Sequence, residues 1–211
     1  MKRILLIGIV PVIILSTAHT CNKPGAAGAR DYINWVENPD NGLLVTKKSG
    51  SLTYSLQFTP LEYRILKEHA DDTLTQSKLT AYTNDIKDMQ YYTFRIEDEK
   101  GGDLLKADAT SKEDFSSRLQ YFSSDMQKDL FLIEGNDTLS CLLFHFERSY
   151  GIDPRSTFVL GFPLGKKDGP GGCPGVSDRT FFFDDHQLGT GPLFLVIHSQ
   201  NLQQLPHLNL D

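Results

Sequence analysis

The pattern of apolar and polar positions predicts a sheet-rich protein whose last third carries the main core. Short runs of Phe, Leu, Val and Ile recur between Leu130 and Ser199, each bounded by turn residues. Runs of this length and composition are typical of β-strands. Eleven of the thirteen phenylalanines lie between Phe115 and Phe194, so we expect the sheet core at 130–199. The predicted strands are 130–134, 139–148, 156–163, 179–183 and 192–199.

The run 139–148 differs from the other predicted strands because both of its faces are largely apolar. Phe144 and Phe146 would point to one side, and Cys141 and Leu143 to the other. A strand that is covered on both sides has this pattern. We therefore expect 139–148 to be one central strand.

Helix signals occur before the C-terminal strands. Thr59-Pro60-Leu61-Glu62 matches a capping box with proline at the first helical position. A helix should therefore begin at Pro60 and run to about His69. A second helix is expected near 76–87, and residues 110–114 have the signature of a third helix start.

The order of these elements indicates the fold class. Leu52–Phe58 and Gln90–Ile96 alternate apolar and polar residues, which predicts two half-buried strands beside the helices. Helix and strand alternate too irregularly for a doubly wound parallel sheet. The predicted fold is α+β: a mainly antiparallel β-sheet, sandwich-like, with two or three short helices inserted.

The N-terminal residues have the pattern of a signal peptide. Lys2 and Arg3 precede an apolar run from Ile4 to Leu15, and small or polar residues follow at 16–18. A helix of this run would be about 18 Å long, too short for a hydrocarbon core of roughly 30 Å. We therefore expect residues 1–20 to be a signal peptide and the mature protein to be exported.

The residues after the leader suggest a lipid anchor. Cys21-Asn22-Lys23-Pro24, followed by Gly25-Ala26-Ala27-Gly28, resembles the mature start of small uncharacterised cell-envelope lipoproteins of the Bacteroidota. The resemblance implies a fatty-acylated Cys21 and an outer-membrane lipoprotein on the periplasmic or surface face, with the membrane as a partner and an envelope protein as a candidate partner. The small residues predict a flexible tether at 21–30, and the chain length indicates a single domain at 31–211. Residues 18–20 depart from the usual lipobox, and cleavage after Ala18 would instead release a free secreted protein.

The cysteines leave two alternatives open. An acylated Cys21 together with a Cys141–Cys173 disulfide would use all three cysteines of the chain. Such a bridge, closing a loop of about thirty residues, would stabilise the fold by roughly 3–4 kcal/mol. In the alternative, Cys141 is simply a small buried apolar residue.

Charge and motif content exclude several classes of function. The chain has 21 basic and 27 acidic residues, and removal of Lys2 and Arg3 with the leader changes the net charge from −6 to −8. A nucleic-acid binder would need clustered Lys and Arg, so none is expected as a partner. The sequence contains no His-Glu-x-x-His, Gly-x-Ser-x-Gly or Cys-x-x-Cys motif. We therefore expect no cofactor and assign no metal ligand or catalytic residue.

A few residues are candidates for ligand contact. Asp184, Asp185 and His186 offer the groups of a divalent-metal or acid–base site. A hairpin turn with its acidic residues in solvent is the favoured interpretation. Trp35, the only tryptophan, is either a carbohydrate platform or, as we favour, a core or interface anchor. The Gly- and Pro-rich loop 161–178 is a further candidate contact surface.

Three functional hypotheses follow. The first is a lipid-tethered accessory or binding protein of the outer membrane. The second is a small exported hydrolase or metal-binding protein that uses Asp184, Asp185 and His186. The third is a structural or adhesive surface protein. The first is favoured, and an enzyme is the less favoured alternative.

Overall fold

The computed structural model describes residues 25–70, 74–101, 103–106, 109–148, 153–165 and 177–210. Short 3-10 helices lie at Pro39–Asn41 and Asp125–Asp129. The strands are β1 (Ala26–Ala27), β2 (Leu44–Ser49), β3 (Leu52–Thr59), β4 (Met89–Asp98), β5 (Leu130–Glu134), β6 (Asp137–Ser140), β7 (Leu143–Glu147), β8 (Arg155–Pro163), β9 (Arg179–Asp184), β10 (Pro192–Ile197) and β11 (His207–Leu208). The helices are α1 (Ala29–Glu37), α2 (Leu61–Glu68), α3 (Gln76–Ile86), α4 (Lys112–Ser123) and α5 (Ser199–Gln203).

Most strands belong to two antiparallel sheets. The larger sheet has the order β2-β3-β4-β8-β7, and the smaller has the order β10-β9-β5-β6. A separate parallel pair joins β1 to β11. Helices α2, α3 and α4 are inserted before the C-terminal strands. The predicted α+β class, with mainly antiparallel strands, is therefore confirmed.

An aromatic core joins the two sheets face to face. The ring of Phe94 in β4 lies 4.9 Å from that of Phe181 in β9, measured between centroids. Tyr54 in β3 lies 6.5 Å from Phe183, also in β9. Offset and tilted rings at these distances attract beyond the area that they bury. The predicted core at 130–199 is incomplete, because β3 and β4 also supply completely buried residues to the core.

The prediction of one central strand at 139–148 is wrong. The chain leaves the smaller sheet after β6 and enters the larger sheet as β7, which is an edge strand. Between them, Leu142 is exposed, and its N–H donates to the Gly161 carbonyl oxygen at 2.8 Å. Both faces of the run are apolar because it supplies residues to two sheets.

Two helices pack on the outer face of the larger sheet. The Gln57 side chain on β3 donates to the Val36 carbonyl oxygen of α1 at 3.1 Å, and the Arg64 guanidinium of α2 lies 4.4 Å from the ring centroid of Tyr91 on β4. Helix α2 begins at Leu61 with Pro60 as its N-cap, and Thr59 remains in β3. The predicted capping box is therefore not formed.

Residues 25–30 belong to the folded domain, which corrects the predicted tether at 21–30. The His207 N–H donates to the Gly25 carbonyl oxygen at 3.2 Å, and α1 begins at Ala29. The small side chains of Ala27 and Ala29 pack against the core, so their size serves close packing and not flexibility. None of the described helices has the length and apolar character that are needed to cross a bilayer.

Candidate functional site

The acidic residues Asp184 and Asp185 lie at the hairpin between β9 and β10, and Asp185 organises its turn. The Asp185 carboxylate accepts hydrogen bonds from the backbone N–H groups of Gln187 (3.0 Å), Leu188 (2.6 Å) and Thr190 (2.7 Å). It also accepts one from the Thr190 hydroxyl at 2.8 Å. Asp185 is only 6% exposed, so the predicted turn is present but this residue does not lie in solvent.

The neighbouring Asp184 and His186 lie apart from the hydrogen-bond network of Asp185. Asp184 Oδ2 is 3.3 Å from His186 Nε2, and both side chains are largely exposed. Among the described residues, no three His, Cys, Asp or Glu side chains form a group that could hold a metal ion. The arrangement therefore stabilises the turn and favours the turn interpretation over the metal-site interpretation.

The other predicted residues have separate locations. Trp35 lies in α1, half-buried, and packs against the core as an anchor would. Cys141 is a buried free thiol whose Sγ lies 3.0 Å from the Leu143 carbonyl oxygen, and burial raises its pKa to about 12. Cys21, Cys173 and residues 166–176 lie outside the described residues. Acylation and the loop contact surface therefore stay predictions, whereas the predicted Cys141–Cys173 disulfide is not supported, because Cys141 is a free thiol.

A groove on the outer face of the larger sheet was not predicted. The side chains on this face of β4, β8 and β7 form rows across the three strands. Helices α1 and α2 cover the β3 side, and among the described residues the β8 and β7 side stays open. The cavity, here called the outer groove, has a volume of about 540 Å³. Its floor consists of the rows Arg95–Thr157–Glu147 and Thr93–Val159–His145.

Helix α2 forms the wall of the outer groove and holds most of its charges in ion pairs. Arg64 Nη2 donates to Glu68 Oε1 at 2.8 Å, and Lys67 Nζ donates to Glu37 Oε1 at 3.1 Å. Burial would raise the pKa of Glu37, but hydrogen bonds from Tyr63 and Lys67 outweigh it and lower that pKa. Arg95, in contrast, makes no ion pair with any described residue. It is therefore the cation of the groove floor that is available to a ligand.

A second cavity opens at the end of the sandwich. This end pocket has a volume of about 200 Å³ and lies between the end of β3, the start of α2 and the segment before β11. Its lining is mainly apolar, but it includes Arg179, the first residue of β9. The Arg179 side chain is 12% exposed, and its Nε lies 3.7 Å from Glu134 Oε1. This distance is too long for a hydrogen bond.

Unpartnered polar atoms mark both cavities. In the part of the chain that the structure describes, the buried side-chain atoms without a hydrogen-bond partner are Thr59 Oγ1, Arg64 Nε, Arg179 Nε and Arg179 Nη1. Thr59 lines both cavities, Arg64 lines the outer groove and Arg179 lines the end pocket. Buried polar groups nearly always have partners in folded proteins. Their concentration here makes these two cavities the candidate functional site.

Sequence reasoning missed these residues for identifiable reasons. Arg95 stands at a polar position of the predicted strand 90–96, which is the usual place for a solvated side chain. Arg179 opens the predicted strand 179–183, and nothing in its neighbours indicates burial. The only available signal was an arginine inside or beside a strand whose other residues are mainly aromatic. That signal is weak.

Comparison with known proteins provides no functional match. No protein-family model and no curated protein matches the chain. Among solved structures, the chain is similar to a novel protein of unknown function from Burkholderia pseudomallei. The TM-score is 0.36 at 12% sequence identity, with 85% of this chain and 93% of that chain covered. The function of that protein is unknown, so the similarity assigns none to this one.

Proposed function

We propose that this protein is a lipid-anchored binding protein of the cell envelope whose outer groove binds an acidic oligosaccharide. The observation that carries the proposal is Arg95, a cation without an ion pair on the floor of an open groove. The proposal extends the first hypothesis drawn from the sequence, with the membrane as the anchor surface. The chain acts as a binder in it, with no chemical step.

The charges of the groove favour an anionic ligand. Arg64 and Lys67 are already paired with Glu68 and Glu37, so a ligand carboxylate would compete with existing pairs there. At Arg95 it would break no ion pair with a described residue. Among the described residues, the buried Arg64 Nε also lacks an acceptor. A hydrogen bond between a guanidinium and a carboxylate is among the stronger kinds in proteins.

The row that contains Arg95 indicates what else the ligand carries. Thr157 and Glu147 follow Arg95 across the sheet, and neighbouring strands are about 4.8 Å apart. A ligand that spans this row must therefore carry an anionic acceptor for Arg95 and a hydroxyl donor for Glu147. These two ligand groups must lie within roughly two strand spacings, about 10 Å, of each other. A uronic acid presents both groups, because its carboxylate can face Arg95 while its hydroxyls donate to Glu147. An acidic peptide would instead meet the Glu147 carboxylate with like charge.

The proposal is tested by titration calorimetry with trigalacturonate, with maltotriose as the neutral analogue. The variant Arg95→Gln should weaken trigalacturonate binding roughly 10- to 150-fold, which corresponds to about 1.5–3 kcal/mol for a charged hydrogen bond. Arg30→Gln is the matched control, because Arg30 is exposed on α1 outside the groove. Equal affinity of Arg95→Gln and wild type, or no binding of trigalacturonate, would contradict the proposal.

The anchor is tested separately on the protein purified from its own membrane. We expect an N-terminal peptide whose mass includes acyl chains on Cys21, found in the membrane fraction and lost in Cys21→Ala. A free N-terminus at His19 in the soluble fraction would instead rule out the anchor.

A further inference from the structure

We propose that the end pocket is a second binding site, which takes a small apolar carboxylate such as a medium-chain alkanoate. This site is distinct from the outer groove, and the inference goes beyond the proposed function. It rests on three features of the pocket: an arginine with missing acceptors, an acid that is held away from it, and an apolar lining of limited volume.

The first feature is the state of the Arg179 guanidinium. Nε and Nη1 are both buried and have no hydrogen-bond partner among the described residues. The Cζ atom lies 4.8 Å from the ring centroid of Phe58, so the plane of the group is supported by an aromatic face. An arginine keeps its charge at every physiological pH, so its N–H groups stay donors. The 12% of the side chain that stays exposed is the part that an acceptor in the pocket can reach.

The second feature is the position of Glu134, which cannot serve as that acceptor. Its Oε2 accepts from Gln90 Nε2 at 3.1 Å, and Gln90 Oε1 accepts from the Tyr92 hydroxyl at 2.8 Å. Tyr92 is completely buried, so this chain of hydrogen bonds is fixed in the core. It holds the carboxylate at 3.7 Å from Arg179 Nε, within Coulombic range but beyond hydrogen-bond distance.

The third feature is the lining. Apolar side chains surround the pocket, and those that define its walls are Phe58, Leu61, Met89, Leu164 and Leu205. The charged residues that also line it are Lys87 and Glu62. The Glu62 carboxylate is hydrogen-bonded to the Tyr32 hydroxyl. Burial and this carboxylate together raise the pKa of Tyr32. Glu134 balances part of the charge of Arg179, and the Arg179 guanidinium is the group of the pocket that complements an anion.

The volume limits the size of the ligand. A cavity of about 150 Å³ lined by apolar side chains is known to hold benzene. The end pocket, at about 200 Å³, is therefore suited to a ligand of roughly eight to ten non-hydrogen atoms. An apolar body in contact with the walls and one carboxylate at Arg179 satisfy both parts of the lining.

The test uses octanoate as the probe and octanol as the neutral analogue of the same chain length. Binding is measured by calorimetry on the full folded chain. We expect wild type to bind octanoate at least tenfold more tightly than octanol. Arg179→Met should abolish that preference, whereas Arg30→Met, the exposed control, should retain it. Leu205→Trp fills the pocket without touching Arg179 and should block both probes.

The results of this test can be distinguished from those of the trigalacturonate test of the outer groove. Arg179→Met should bind trigalacturonate as wild type does, which also demonstrates that the variant is folded. Equal binding of octanoate and octanol by wild type, or an unchanged preference in Arg179→Met, would overturn the inference. So would octanoate binding that survives Leu205→Trp.

Discussion

Replacement of Asp185 by alanine should destabilise the protein strongly although the residue lies in a hairpin turn. The substitution removes the acceptor of three backbone N–H groups and one hydroxyl. Each buried donor left without a partner costs about 1–3 kcal/mol, and solvent reaches part of this turn. Four fully buried donors would together cost about 4–12 kcal/mol, but water can replace some of these bonds, so we expect a total loss of about 3 kcal/mol. The Thr190 hydroxyl also contacts the Tyr54 hydroxyl at 2.8 Å, which connects the turn to the core.

Equilibrium unfolding in urea measures this loss, and thermal unfolding provides an independent check. For a domain of this size, 3 kcal/mol corresponds to a Tm lower by roughly 6–12 °C. Asp184→Ala is the matched control, because its side chain is 40% exposed and its contact with His186 lies at the surface. We expect that control to lie within about 0.5 kcal/mol of wild type.

The reasoning would be refuted by an Asp185→Ala protein whose stability matches wild type within about 0.5 kcal/mol, the usual range of surface substitutions. Equal losses for Asp184→Ala and Asp185→Ala would also contradict it. A fully stable Asp185→Ala protein that lost an activity would favour the hydrolase hypothesis of the sequence instead.

Two further predictions concern pH and packing. Burial, assisted by the charge of Asp185, raises the pKa of Tyr54 to about 12. The folded protein therefore keeps the phenol proton at a pH where the unfolded chain, above a pH of about 10, loses it. Stability should therefore fall between pH 10 and 12, by about 3 kcal/mol from this residue. Urea unfolding that is unchanged up to pH 11 would contradict this. A methyl group at Gly161 would lie 2.6 Å from Met89 Cε and 2.9 Å from Leu143 Cβ, so Gly161→Ala should cost roughly 1–3 kcal/mol of unfolding free energy. Gly50→Ala is not a suitable control because Gly50 has a positive φ. Gly25→Ala adds a methyl group in open space and should change stability little.

Local sequence signals predicted the helices that have clear starts. The Ser111 hydroxyl accepts from the Asp114 N–H at 3.0 Å, as the signature at 110–114 indicated. Near Thr59 the same kind of signal was misleading, because the chain stays in β3 until that residue and Pro60 becomes the N-cap. Pairing in the sheet outweighed the local capping preference there.

Features that depend on distant pairing were beyond the sequence. An apolar pattern on both faces describes a central strand and also a chain that passes from one sheet to another, as at 139–148. The rows of the outer groove depend on the pairing of β4 with β8, strands that are more than fifty residues apart in the chain. The outer face of β8 and β7 is open because α1 and α2 pack on the β3 side of the larger sheet. No local pattern carries that information.

The measurement that tests the account most directly is a map of amide chemical-shift changes when trigalacturonate is added to the isotopically labelled protein. The account predicts changes concentrated at Thr93, Arg95, His145 and Thr157 on the groove floor, and their loss in Arg95→Gln. Changes centred on the Asp184–Thr190 turn, or none at saturating trigalacturonate, would contradict the assignment of the outer groove as the ligand site.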